Sequence, residues 1–92
     1  MDFEWDTAKA ASNLHKHGVA FEYAARVFLD PKRLDSEDPR DDYGEERRIT
    51  VGWIEGSLFV VAYTERGGAT RLISTRKATT REQQSYSHAI QT

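Results

Sequence analysis

The apolar positions of the chain change period twice. Phe3 and Trp5 stand two residues apart as a short aromatic strand, with Asp6 behind them where a helix N-cap is wanted. Ala8, Ala11 and Leu14 then recur at helical spacing, which predicts a helix from Thr7 to about His17. Gly18 is placed to supply the left-handed residue that ends it. Phe21, Ala24, Ala25 and Phe28 fall at i, i+3, i+4 and i+7, the pattern of a second helix with one buried face. Asp30-Pro31 stops it, because the residue before a proline avoids the helical region. From residue 47 the period drops to two. The runs 47–54, 58–65 and 70–77 are rich in β-branched and aromatic residues, and the glycine-bearing gaps between them suit antiparallel hairpins. Leu58-Phe59-Val60-Val61-Ala62 is apolar on both faces, as a central strand would be. Thr79-Thr80-Arg81-Glu82 matches a capping box, and Tyr86, Ala89 and Ile90 extend it at helical spacing into a C-terminal helix.

Residues 35–46 interrupt this pattern with seven acids, one base, Pro39 and Gly44, and are expected to form a loop. The predicted order is strand, helix, helix, three antiparallel strands, helix, an α+β domain. With 92 residues, one domain over 1–92 is expected. Ten aromatics exclude a disordered chain although 30% of residues are charged. They predict a thin aromatic core that includes Trp5 and Trp53 in preference to base stacking. The absence of cysteine removes disulfides, thiolate metal sites and cysteine nucleophiles, and suits a reducing compartment. Met1-Asp2-Phe3-Glu4 lacks the basic start and apolar run of a signal peptide, and no stretch resembles a membrane span. The expected location is the cytoplasm, without membrane contact.

Charge divides the chain. Residues 1–46 hold twelve acids and six bases, whereas 47–92 hold three acids and seven bases. Arg66, Arg71, Arg76, Lys77 and Arg81 lie within sixteen residues, and arginine is the side chain best shaped to grip phosphate at two points. Strand alternation puts Arg71 and Lys77 on one face with Ile73 and Thr75, and Arg76 on the other with Leu72 and Ser74. Arg76, Lys77 and Arg81 can still converge where the last strand enters the last helix, whose N-terminal amides favour an anion. The same charges would also serve a solvated sheet edge. His15 and His17 are acid–base candidates by their ordinary titration range, or simply complements to a helix dipole, and His88 is expected on the surface. The acidic segment lacks the alternating ligands and central glycine of a calcium loop. No metal or other cofactor is expected.

Several segments together resemble the BrnT family, small ribonuclease toxins of type II toxin–antitoxin systems with a RelE-like fold. The resemblance lies in Phe3-Glu4-Trp5-Asp6 with Lys9 and Asn13, Lys16-His17-Gly18-Val19 with Phe21 and Ala24, and Val27-Phe28 with Asp30-Pro31. It continues through Glu46-Arg47, Val61, Tyr63-Thr64-Glu65-Arg66-Gly67, and Arg71-Leu72-Ile73-Ser74-Thr75-Arg76-Lys77-Ala78 with Glu82 and Tyr86. Thr75 departs from it, standing where a smaller residue, usually alanine, is expected. The resemblance implies RNA cleavage that suppresses translation. It further implies a BrnA-type antitoxin with a ribbon-helix-helix domain, in a heterotetramer of two toxins on an antitoxin dimer that reaches operator DNA only through the antitoxin.

RNA cleavage without a metal requires a base for the 2′-hydroxyl, cations for the charge developing on phosphorus and an acid for the leaving oxygen. Arg66, Arg71, Arg76 and Lys77 are the candidate cations, with Arg81 as a further phosphate contact. Lys77 is also a candidate acid, and His17, Glu65 and Tyr86 are the candidate bases. The competing readings are a nucleic-acid-binding or interaction module without catalysis and a metal-dependent hydrolase using the acidic loop. A dedicated binder would usually show a much more basic chain than this one, whose net charge is −2.

Overall fold

The computed structural model describes residues 1–39 and 46–91. Strand β1 (Phe3–Glu4) leads into helix α1 (Thr7–His17), and α2 (Phe21–Ala24) continues directly as a 3-10 helix (Ala25–Leu29). Strands β2 (Leu34–Glu37), β3 (Arg48–Ile54), β4 (Ser57–Arg66) and β5 (Ala69–Lys77) follow, and α3 (Thr80–Gln91) closes the order. The sheet runs β1-β5-β4-β3-β2. Its neighbours are antiparallel except for β1, which pairs in parallel with β5 through Phe3↔Thr70 and Glu4↔Arg71.

Local signals account for α1. The Asp6 carboxylate accepts from the amides of Ala8 (2.8 Å) and Lys9 (3.2 Å), two donors that the first turn leaves unpaired. Gly18, at φ 70°, ends the helix by donating its N–H to Leu14 O. The buried Asn13 then fastens α1 to the sheet. Beyond Arg71 the outer edge of β5 has no strand beside it, and the Asn13 amide takes the place of one. It donates to Thr75 O (2.9 Å) and accepts from Thr75 N (3.1 Å). The fully buried Thr75 hydroxyl is satisfied in the same contact, at 2.8 Å from Asn13 Nδ2, so the departure from alanine leaves no polar group unpaired.

Two expectations of secondary structure are corrected. The second helix is α-helical for only one turn before tightening to 3-10, and Gly52 on β3 shows why there is no room for a wider coil. A Cβ on Gly52 would lie 2.8 Å from Val27 Cβ, so the 3-10 segment rests almost directly on strand backbone. The expected loop at 35–46 begins as strand β2, because Leu34 and Asp35 pair with Val51 and Thr50. There the Asp35 carboxylate collects Arg48 Nε, Arg33 Nη1 and the Tyr63 hydroxyl. Burial would raise the Asp35 pKa, but these donors hold it below the usual carboxylate range, while burial and Asp35 together push Tyr63 up. Residues 40–45 of the acidic segment lie outside the described residues.

The main core lies between the sheet and α1–α2. Phe21, Leu72, Val27 and Val61 are its largest fully buried side chains, joined by edge-on rings such as Trp5 on Phe21 and Phe28 on Tyr63. A smaller cluster of Val51, Val60, Ala78 and Tyr86 lies on the opposite face, where α3 crosses. Trp53 does not join the core. It is 52% exposed and lines a shallow cavity of about 290 Å³ with Leu29, Asp30 and Pro31.

Candidate functional site

The cations of β5 are sorted by one irregularity. Between β4 and β5 the register runs Val60↔Arg76, Ala62↔Ser74, then Tyr63↔Leu72 and Thr64↔Arg71, which leaves Ile73 as an extra residue in a β-bulge. Val60, Ala62, Thr64 and Arg66 alternate onto one face of β4, so their partners Arg76, Ser74, Arg71 and Ala69 share it. Arg66, Arg71 and Arg76 therefore all face away from α1 and α2. This corrects the alternation-based placement of Arg71 and Arg76 on opposite faces. Lys77, opposite Phe59, goes to the helix side.

The same face carries residues that the sequence reading did not single out. The β3 ladder continues one residue through an Asp38 N to Arg47 O bond of 2.8 Å, which aligns Arg47 with Ile49 and hence with the arginine face. Glu4, in register with Arg71, accepts from its Nη1 at 2.7 Å. Asp38 lies 3.4 Å from Arg47 Nη2. One row across the sheet thus reads Asp38, Arg47, Thr64, Arg71, Glu4, with an acid at each end. Arg71 and Arg76 are separated by four residues of β4, roughly 13 Å, and Arg66 and Arg76 by six, roughly 20 Å. Arg66 and Arg76 cannot grip one phosphate together; the face can hold successive phosphates of one strand.

At the junction of β5 and α3 the protein supplies its own anion. Glu82 takes Arg76 Nη1 and Nη2 at 2.8 and 2.9 Å and the Thr79 amide at 2.8 Å, and the Thr79 hydroxyl returns a contact to Glu82 N at 3.2 Å. The capping box is formed and occupies the helix start that the sequence reading left open for a ligand. The Arg76 guanidinium is the main reason that the Glu82 carboxyl falls to about 2. Arg71, by contrast, uses one N–H on Glu4 and makes no second side-chain hydrogen bond among the described residues.

The candidate bases are dispersed. Glu65 is on the helix side of β4 and accepts from Thr70 Oγ1 at 3.1 Å. His17 lies exposed in the last turn of α1, also on that side, and Arg81 is exposed in the first turn of α3. Tyr86 is buried beneath α3, and its hydroxyl donates to Asp30 Oδ2 at 2.6 Å. Burial first, and then Asp30, push this hydroxyl up to about 12, so it is a fixed donor at neutral pH. Asp30 also accepts the Trp53 and Lys32 amides, at 2.9 and 2.8 Å. Glu4 is, with Asp38 against Arg47, a carboxylate of this face that meets its arginine through a single nitrogen. No local sequence signal marks Glu4, because its partner Arg71 stands 67 positions away.

Among the described residues, no helix is long and apolar enough to cross a membrane. No curated protein sequence matches the chain. A family model described as the ribonuclease toxin BrnT of type II toxin–antitoxin systems matches residues 5–82, a span that takes in α1, the sheet from β2 to β5 and the Glu82 end of the capping box. The chain belongs to the BrnT family of ribonuclease toxins.

Proposed function

We propose that this BrnT-family toxin is a metal-independent endoribonuclease whose reaction takes place on the arginine face of the sheet. The observation that carries this reading is the bulge at Ile73, which turns Arg66, Arg71 and Arg76 to one side and sets Arg71 against Glu4. Arg71 holds the scissile phosphate and stabilises the charge that develops on it, while Arg47, Arg66 and Arg76 hold the strand on either side. Glu4 takes the proton from the 2′-hydroxyl, the 2′-oxygen attacks phosphorus, and the bond to the 5′-oxygen breaks. The proton then returns to the departing 5′-oxygen, leaving a 2′,3′-cyclic phosphate and a 5′-hydroxyl. Lys77, His17 and Glu65 lie across the sheet from this centre, and Tyr86 anchors α3.

Cleavage of cellular RNA would suppress translation. A BrnA-type antitoxin with a ribbon-helix-helix domain would silence the toxin in a complex of two toxins on an antitoxin dimer, and would alone contact operator DNA. The direct test incubates purified protein with RNA in excess EDTA and analyses the product ends. The expected result is cleavage with cyclic phosphate ends. Products bearing 5′-phosphate and 3′-hydroxyl, or cleavage that stops with the chelator, would overturn the mechanism. Binding without any cleavage would favour the non-catalytic module.

A further inference from the structure

On the helix side of the sheet, a groove of about 300 Å³ opens between the end of α1 and the start of α2, lined by Leu14, Val19, Ala20, Tyr23, Phe59 and Lys77. Its floor is apolar and partly aromatic, and no carboxylate lines it. Lys77 is exposed at its rim, and the ammonium has no partner among the described residues. This sets it apart from Arg71 and Arg76, which already hold carboxylates. The next residue back, Arg76, points to the other face, and among the described residues no strand covers the outer edge of β5 from Leu72 onward. Among the described residues, α1 packs along this edge and Asn13 pairs with its backbone at Thr75. A cation on each face, one residue apart, therefore flanks an edge that no strand blocks.

We propose that this groove is a nucleobase subsite of the enzyme: the RNA strand leaves the arginine face over the β5 edge beside Arg76, Lys77 takes the next phosphate, and the adjoining base enters the groove. An apolar, aromatic-lined cleft with one cation and no anion matches a base and its phosphate, since bases bind on aromatic side chains and phosphates on unpaired cations. It fits an acidic peptide less well, because one lysine would have to satisfy every carboxylate. The proposal rests on the ribonuclease reading and assigns its substrate a second point of contact.

The test separates the two. A non-cleavable 2′-O-methyl hexanucleotide is titrated into isotopically labelled protein, with inorganic phosphate as the control. Amide signals of Leu14, Gly18, Val19 and Ala20 are expected to shift with the oligonucleotide and not with phosphate. Leu14→Glu, at a half-exposed position, is expected to raise the KM of a short RNA roughly tenfold while kcat stays within about twofold. Groove signals that stay silent while arginine-face signals move would overturn the subsite and leave the ribonuclease reading intact. Groove signals that respond only to an added protein partner would overturn it in favour of a protein-docking surface. Because binding is read without turnover, a failure to cleave RNA would count against the ribonuclease reading alone.

Discussion

Arg71 offers a phosphate more than Arg76 does, because Glu4 holds it through one nitrogen whereas Glu82 holds Arg76 through two. Removing either is therefore expected to read out differently. Arg71→Ala should lower kcat/KM about a hundredfold with the fold unchanged, the usual cost of losing a donor to a developing oxyanion. Arg76→Ala should lower activity and melting temperature together, because it breaks a two-point ion pair that ties β5 to α3, whereas Arg71 is held to Glu4 at one point. Single-turnover kinetics and thermal melts on both variants check this; equal melting losses would contradict it. Glu82 adds a pH signature. Its folded value of about 2 lies below the ordinary 4.5, so the stability it contributes is present above 4.5 and fades as pH falls toward 2. Urea unfolding across that range should show a smaller acid loss in Glu82→Gln. At this scale the sequence named the arginines but not their faces, since alternation cannot register an inserted residue such as Ile73. Glu4 escaped because nothing local marks it among fifteen acids; its meaning comes from Arg71, 67 positions away.

Among the elements, α1 was legible because every determinant is local: the Asp6 cap, the apolar stripe and the left-handed Gly18. The capping box of α3 was legible for the same reason. Strand β2 was not, since Leu34-Asp35-Ser36-Glu37 has no β-branched residue and is held by partners on β3 and β4, namely Arg48, Thr50 and Tyr63. The shortened second helix was hidden likewise, because periodicity reports which side is buried and not how closely the neighbour approaches. Gly52 permits that approach. Gly52→Ala should cost roughly 1–3 kcal/mol through overpacking against Val27, enough to lower the melting temperature by several degrees. An unchanged melting curve would mean that the 3-10 helix can retreat from β3.

In the whole molecule, folding closes the charge divide seen along the chain. Acids of the first half meet arginines of the second in the pairs Glu4–Arg71, Asp35–Arg48 and Asp38–Arg47. The face proposed for RNA is therefore arginine-rich without being bare, and an inhibitor must compete with carboxylates already in place. We expect the product of an adjacent gene to co-purify with this chain, to be acidic where it meets the arginine face, and to associate more slowly as salt rises. A complex that degrades RNA at the full rate, or no complex at all, would contradict the antitoxin reading. The parallel pairing of β1 with β5 also bears on synthesis. Glu4 is made 67 residues before Arg71, so the two groups proposed for catalysis come together only when β5 docks beside β1. Until that pairing forms, a growing polypeptide would hold the parts of the proposed centre without the centre itself, an interval in which an antidote could be supplied.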